Sequence, residues 1–174
     1  MVDASRLTLL VTLDGSAFAE QILGVASRMA QEAHARVTLL RVIPPAHAAS
    51  KTEWGYDRRI EERDLAGYGD DQAWPHVTEI ETADQASQGA SAEAMGYLAP
   101  FTERFQGLEL QRLVRESEHP ADAILACAEE IGADLIAMAT HGRSGLAHLL
   151  TGSVAEAVMR AGKTPVLLFR PTED

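Results

Sequence analysis

Apolar residues in this chain occur in two patterns: short continuous runs, and longer stretches in which they recur every three or four positions. The continuous runs predict buried strands at Leu7–Leu13, Arg36–Ile43, Asp134–Thr140 and Pro165–Phe169. Residues Leu108–Arg115 instead alternate apolar and polar side chains. This alternation predicts a strand with one exposed face, and therefore an edge position in the sheet.

Stretches with helical periodicity separate these strands and predict four helices. They cover Ala17–His34, Ser91–Phe105, the segment from Pro120 to Gly132, and Ser153–Ala161. Pro100 is expected to kink the second helix, because proline lacks a backbone N–H. The predicted apolar stripe of the last helix consists of Val154, Ala157, Val158 and Ala161. Five strands alternating with four helices predict an α/β fold, a parallel sheet covered by helices on both faces.

Residues from Pro45 to about Ala90 interrupt the alternation with a mixture of glycine, charge and isolated aromatic residues. We predict a long insertion here, after strand two, with a short helix near Arg58–Leu65 and an extended piece near His76–Thr82. Connections of this length are unusual unless they are functional or disordered. Apart from this insertion, the 174 residues predict a single domain, 1–174, with a sizeable core.

Charge and composition exclude several classes of partner. The formal net charge is -11, from 26 acidic and 15 basic residues, which argues against a nucleic-acid or anionic membrane surface. The one cysteine, Cys127, cannot form an internal disulfide, and the chain opens without the pattern of a signal peptide. Apolar runs fall far short of the roughly 20 residues that a membrane span needs. We therefore expect a cytoplasmic protein.

Two loops are candidates for a ligand site, because ligands of open parallel sheets bind at the carboxyl ends of the strands. The first is Leu13-Asp14-Gly15-Ser16 and the second is HGRSGLAHLLTGSVAE, residues 141–156. Neither contains GxxxxGKS/T or GxGxxG. The second loop leads into a helix at Gly152-Ser153, whose free N–H groups can bind an anion without any net positive charge nearby.

Individual residues of the second loop suit a phosphate ligand. Gly142 allows close approach of the backbone or a positive φ. The guanidinium of Arg143 can donate paired hydrogen bonds to phosphate oxygens, and Ser153 adds a hydroxyl. The alternative is that the glycines only form turns and Ser153 only caps the helix. The residues alone leave both readings open.

The spacing of the second loop resembles that of the universal stress protein family. ATP-binding members of the family have G-x2-G-x9-G-S/T after strand four, and this chain has Ala139, Gly142, Gly152 and Ser153 at the matching positions. The segments VTLDGSAFAEQIL, TLLRVIPP and KTPVLLFRP also resemble the family's first, second and last strands. The matches occur in the correct order and span nearly the whole chain apart from the insertion.

The resemblance implies a Rossmann-like sheet with strand order 3-2-1-4-5, which brings the two candidate loops together. It also implies that Asp14, beside Thr12 and Leu13, hydrogen-bonds the adenosine moiety and that Val42 meets the adenine. Ribose and phosphates are then surrounded by Gly142, Arg143, Gly152, Ser153 and Val154. The implied ligand is ATP, ADP or AMP. One carboxylate with a phosphate is a generic cation site, so Asp14 could also hold Mg²⁺ through the phosphate oxygens. The implied assembly is a homodimer formed through Val166–Phe169.

Ala139 departs from the family pattern. Its β-carbon could crowd the ribose, and at positive φ an alanine is strained by about 1 kcal/mol or more. At negative φ little is lost, so we expect weakened binding at most. This departure keeps open a second reading, a dimeric scaffold that binds no nucleotide.

Catalytic alternatives have little support. Gly142-Arg143-Ser144-Gly145 is not a GxSxG elbow, because residue 146 is Leu146, which disfavours a hydrolase built on Ser144 and His141. Cys127 is expected to be a packed, inert thiol. The histidines are scattered and expected at the surface. We therefore expect a nucleotide-binding stress or signalling protein with slow or absent hydrolysis; the enzymatic alternative is an adenylyl-transfer or pyrophosphatase relative.

Overall fold

The computed structural model describes residues 6–46, 83–140 and 154–170. In chain order its elements are β1 (Thr8–Thr12), α1 (Ala17–Glu20), α2 (Ile22–Glu32), β2 (Arg36–Ile43), α3 (Ala83–Leu98), a 3-10 helix (Ala99–Phe105), β3 (Leu110–Glu116), α4 (Pro120–Glu130), β4 (Leu135–Ala139), α5 (Val154–Ala161) and β5 (Val166–Phe169). The alternation of strands and helices predicted from the sequence is confirmed.

The five strands form one parallel sheet in the order β3-β2-β1-β4-β5. This is the order that the family resemblance implied. All five residues of β1 are buried, because this strand has a neighbour on each side and helices above and below. β3 lies at one edge, as its alternating pattern predicted, and β5 lies at the other.

Helices cover both faces of the sheet. Leu9 and Val11 of β1 pack into a core cluster that also contains buried residues of α1, α2, α3 and the 3-10 helix. Leu10 faces the other way and packs with buried residues of α4 and α5. We call these the α1–α3 face and the α4–α5 face. Successive side chains of a strand point to opposite faces, so the continuous apolar runs are the expected consequence of two covered faces.

Two of the predicted helices differ from the structure in their extent. The predicted helix Ala17–His34 consists of α1 and α2, which are separated by a turn at Gln21. The predicted helix Ser91–Phe105 was wrong at both ends, since α3 begins at Ala83 and stops at Leu98. Pro100 lies in the first turn of the following 3-10 helix rather than at a kink. Proline cannot donate to the carbonyl four residues earlier and clashes with it, which ends the α-helix.

The last helix has a different buried stripe from the predicted one. Val158 is buried as expected, but Ala161 is exposed, and the buried alanine is Ala155. Most of the predicted insertion lies outside the described residues, including its short helix at 58–65 and its extended piece at 76–82. Its last part, 83–90, forms the first two turns of α3.

Candidate functional site

Strand β1 carries the first candidate loop to the carboxyl edge of the sheet. Thr12 and Leu13 are buried, and the N–H of Leu13 donates to the carbonyl of Leu40 at 2.9 Å, so β2 still holds the chain at this point. The next residue, Asp14, is exposed. A carboxylate therefore stands at the edge where open parallel sheets bind their ligands.

The turn formed by Asp14, Gly15 and Ser16 is ordered by its own polar groups. Oδ1 of Asp14 accepts hydrogen bonds from the N–H of Ser16 at 2.8 Å and from its hydroxyl at 2.6 Å. Oγ of Ser16 accepts from the N–H of Ala19 at 3.0 Å and so caps α1. Gly15 has a φ of 94°, a conformation that favours glycine. Within the described ranges no hydrogen bond reaches Oδ2 of Asp14, which leaves it able to accept from a ligand.

The second candidate loop follows β4, the neighbour of β1 in the sheet. Ala139 pairs with Phe169 at the end of this strand, and the N–H of Thr140 donates to the carbonyl of Phe169 at 2.9 Å. Outside the described residues lie Gly142, Arg143, Gly152 and Ser153. Because β1 and β4 are parallel neighbours, Asp14 and Thr140 leave the sheet at the same edge.

The remaining predicted ligand contacts divide between the two faces. Val42, near the end of β2, and Val154, at the start of α5, are half-buried and pack against the core of the α4–α5 face. Ala139 packs against the core of the α1–α3 face, and its φ is not positive. The condition under which an alanine would strain the backbone is therefore not met at this position.

A cluster that sequence reasoning missed lies against the Asp14 turn. Cζ of Arg41, on β2, lies 4.6 Å from the ring centroid of Tyr97, on α3, which is the geometry of a cation–π contact. The hydroxyl of Tyr97 donates to Oε1 of Glu20, on α1, at 3.0 Å. The only signal in the sequence is an arginine inside the apolar strand RVTLLRVI. No spacing rule links Arg41 to Tyr97, or Tyr97 to Glu20, which lies 77 residues away in the sequence.

The environment of Tyr97 keeps its phenol protonated. Burial raises the pKa of Tyr97 most, and the hydrogen bond to Glu20 and the negative charge of that carboxylate raise it further. The guanidinium of Arg41 lowers the pKa of Tyr97 and the charge of Asp14 raises it slightly, so the net change is a marked increase. The phenol is therefore a hydrogen-bond donor throughout the neutral pH range.

Other side chains considered from the sequence are not part of this edge. Cys127 is buried on α4, and burial raises the pKa of its thiol, as expected for a packed cysteine. His34 and His119 are exposed, as predicted. In the ranges 6–46, 83–140 and 154–170, no three His, Cys, Asp or Glu residues are grouped to hold a metal ion. No helix in these ranges has the length and apolarity needed to cross a bilayer.

Comparison with protein families gives a match over almost the whole chain. The model of the Universal stress protein family matches residues 6–170. Universal stress protein Rv2005c of Mycobacterium tuberculosis is 30% identical over 102 residues, which cover 56% of this chain and 34% of that protein. The matched region thus spans about a third of the length of this curated relative.

Solved structures share the fold at low sequence identity. Protein MJ0577 of Methanocaldococcus jannaschii has a TM-score of 0.68 at 20% identity, covering 98% of this chain and 100% of that one. A universal stress protein in complex with cAMP has a TM-score of 0.63 at 19% identity, covering 97% and 100%. One from Archaeoglobus fulgidus in complex with dAMP has a TM-score of 0.54 at 17% identity, covering 94% and 98%.

Proposed function

Because the chain belongs to the universal stress protein family, we propose that it binds an adenine nucleotide at the carboxyl edge of β1, β2 and β4. The observation that carries the proposal is Asp14, an exposed carboxylate on an ordered turn, with Oδ2 free of hydrogen bonds within the described part of the chain. It stands at the point where the strand order reverses between β1 and β4, the usual ligand crevice of such sheets. The cAMP and dAMP complexes of structurally similar proteins support the same ligand class.

The proposed role is regulatory, in a stress response or in signalling. Nucleotide occupancy would change the order of the loops or the affinity for a partner, and hydrolysis would be slow or absent. The proposed ligand is ATP, ADP or AMP, with or without Mg²⁺ coordinated by phosphate oxygens and Asp14. In this assignment Asp14 accepts from the adenosine moiety, Val42 contacts the adenine, and the motif residues after β4 surround ribose and phosphates.

A charge-matched pair of variants tests the role of Asp14. Asp14→Asn keeps an oxygen for the Ser16 hydrogen bonds but removes the negative charge. The control, Glu129→Gln, removes one negative charge from an exposed side chain in the last turn of α4. Equilibrium titration with ATP, AMP and cAMP should show a loss of about tenfold or more for Asp14→Asn, the value of a charged hydrogen bond. Glu129→Gln should bind like the wild type. Equal affinity of both variants would refute the role of Asp14.

The phosphate position is tested at the second loop. Gly152→Val should abolish ATP binding while leaving the circular dichroism spectrum unchanged; unchanged affinity would refute that placement. Denaturing the purified protein and identifying any released small molecule tests the ligand class directly. Absence of a bound nucleotide together with absence of binding in titration would favour the scaffold alternative, and substrate-dependent release of pyrophosphate would favour the enzyme.

We also propose a homodimer formed through β5. The four residues Val166–Phe169 are apolar, lie at a sheet edge and are all only half-buried in the single chain. An unpaired apolar edge strand can pair with another subunit. Sedimentation should show a dimer at micromolar concentration, and a monomer there would reject the proposal.

A further inference from the structure

The guanidinium of Arg41 occupies the space beside Gly15. A β-carbon placed on Gly15 would lie 2.9 Å from Nη2 of Arg41 and 3.2 Å from its Cζ. Both distances are too short for ordinary contact, so the arginine fills the volume that a side chain at Gly15 would need. Gly15 follows Asp14 directly, and the arginine therefore packs against the backbone of the turn that carries the carboxylate.

Among the described residues, Arg41 is held by packing and not by an ion pair. Its Nε is buried without a hydrogen-bond partner, and within the described residues it has no carboxylate at ion-pair distance. Buried polar groups usually have a partner, so this arrangement needs an explanation. The contacts that the structure does show are the face of the Tyr97 ring on one side and Gly15 on the other.

The ring of Tyr97 is fixed from two directions. Its hydroxyl donates to Glu20 on α1, the helix that begins immediately after the turn. The rings of Tyr97 and Phe101 also pack edge to face, with centroids 5.2 Å apart and planes at 75°. α3 therefore supplies a fixed aromatic surface, and Arg41 lies between that surface and the turn.

We propose that Arg41 and Tyr97 are positioning residues, which hold the turn of Asp14, Gly15 and Ser16 in the conformation that presents Asp14 to the nucleotide. The inference rests on the proposed function. Without the guanidinium, the turn loses the group that packs against Gly15 and samples more conformations. Nucleotide binding would then have to order the turn as well. The affinity would fall by that free energy without the loss of any direct ligand contact.

Three variants with three ligands test this role. Arg41→Met keeps the length of the side chain and removes the guanidinium. It should weaken binding of adenosine, AMP and ATP by the same factor, about three- to tenfold, the size expected for a partly desolvated cation–π contact. Tyr97→Phe keeps the ring under Arg41 and loses only the hydrogen bond to Glu20, so it should weaken binding less than Arg41→Met does. Tyr97→Leu removes the ring and should behave like Arg41→Met.

The comparison of ligands separates positioning from charge. Loss of a positive charge near a polyanion would weaken ATP more than AMP, and adenosine least. A loss of affinity that increases from adenosine to AMP to ATP would overturn the positioning role. Arg115→Met is the matched control, since it removes an arginine from another strand, where the partner is Glu130 at 2.7 Å. It should leave the affinity for adenosine unchanged.

Amide exchange of Ser16 reports on the turn without any ligand. The N–H of Ser16 donates to Asp14 within the turn, so its exchange should be faster in Arg41→Met and Tyr97→Leu than in the wild type and Tyr97→Phe. If the wild type binds adenosine and Arg41→Met binds it equally, with unchanged Ser16 exchange, the positioning role is wrong and the proposed function stands. If the wild type binds no adenine compound, the proposed function fails and this inference fails with it.

Discussion

Replacement of Gly15 by alanine should destabilise the protein by about 1–2 kcal/mol. A φ of 94° is unfavourable for an alanine, at a cost of about 1–2 kcal/mol. The new methyl group would also lie 2.9 Å from Nη2 of Arg41, and the flexible arginine would have to leave the Tyr97 ring, at a cost of about 0.5–1 kcal/mol. Alanine also lowers the conformational entropy of the unfolded chain, which offsets about 0.4–1 kcal/mol of this destabilisation.

Gly24→Ala is the matched control for this substitution. Gly24 lies inside α2, is exposed, and has no atom within 4 Å of an added β-carbon. Gly24→Ala lowers the entropy of the unfolded chain as much as Gly15→Ala does, but at a residue whose backbone is helical. It should therefore stabilise the protein by about 0.5–1 kcal/mol. The two alanine variants should therefore shift the free energy of unfolding in opposite directions.

Urea denaturation followed by far-ultraviolet circular dichroism measures both changes. A double variant, Gly15→Ala with Arg41→Ala, separates the two causes, because it removes the steric conflict and keeps the unfavourable φ. Relative to Arg41→Ala alone, the cost of Gly15→Ala should shrink by the part that came from displacing the arginine. If Gly15→Ala were neutral or stabilising, like Gly24→Ala, the described conformation of the turn would be wrong.

Three further predictions concern single side chains. Stability should fall as the pH rises above about 10, because Tyr97 ionises in the unfolded protein before it does in the folded one; this fall should be smaller in Tyr97→Phe in urea titrations at pH 8 to 11. The thiol of Cys127 should react with Ellman's reagent only when the protein unfolds, and rapid reaction in the native state would contradict its burial. Leu9→Ala should cost about 2–5 kcal/mol in the same denaturation assay, whereas Met159→Ala, at an exposed position, should stay within about 0.5 kcal/mol of the wild type.

The strands could be predicted closely from the sequence because each is a short apolar run with a clear end. β2 was predicted with its observed bounds, Arg36–Ile43, and β1 to within one residue at each end. In both cases the run coincides with burial on two faces, which is the property that the pattern measures. The edge position of β3 was also predicted, but its exposed face was not found: Val114 packs on the α1–α3 face and Leu113 on the α4–α5 face.

Helix α3 was predicted poorly because its first turns have few apolar residues. Its residues 83–90 are mostly alanine and polar side chains and include Gly89, so helical periodicity is weak there. Its buried residues are Ala94 and Leu98, both in the second half. The pattern therefore detected only the half that packs on the core, and Pro100 ended the helix where a kink was expected.

The site was partly accessible from sequence. The position of Asp14 at the carboxyl end of β1 could be predicted, because it follows a buried strand in a segment that resembles the family's first strand; its role toward a ligand stays a prediction. The contact of Arg41 with Tyr97 could not be predicted, since it depends on the direction in which α3 crosses the sheet. Whether the side chain of Ala139 points toward helices or toward a ligand also depends on the registration of β4, which composition does not encode.

The pairing of β2 with β3 has an evolutionary consequence. Seven consecutive residue pairs, from Val37 with Leu110 to Ile43 with Glu116, fix both ends of the connection between these strands. For a connection whose ends are anchored, each doubling of length costs only about 0.6 kcal/mol in chain entropy. Gene insertions and deletions between β2 and α3 can thus change the length of this connection at little energetic cost, while the sheet and the contacts of Tyr97 stay unaltered.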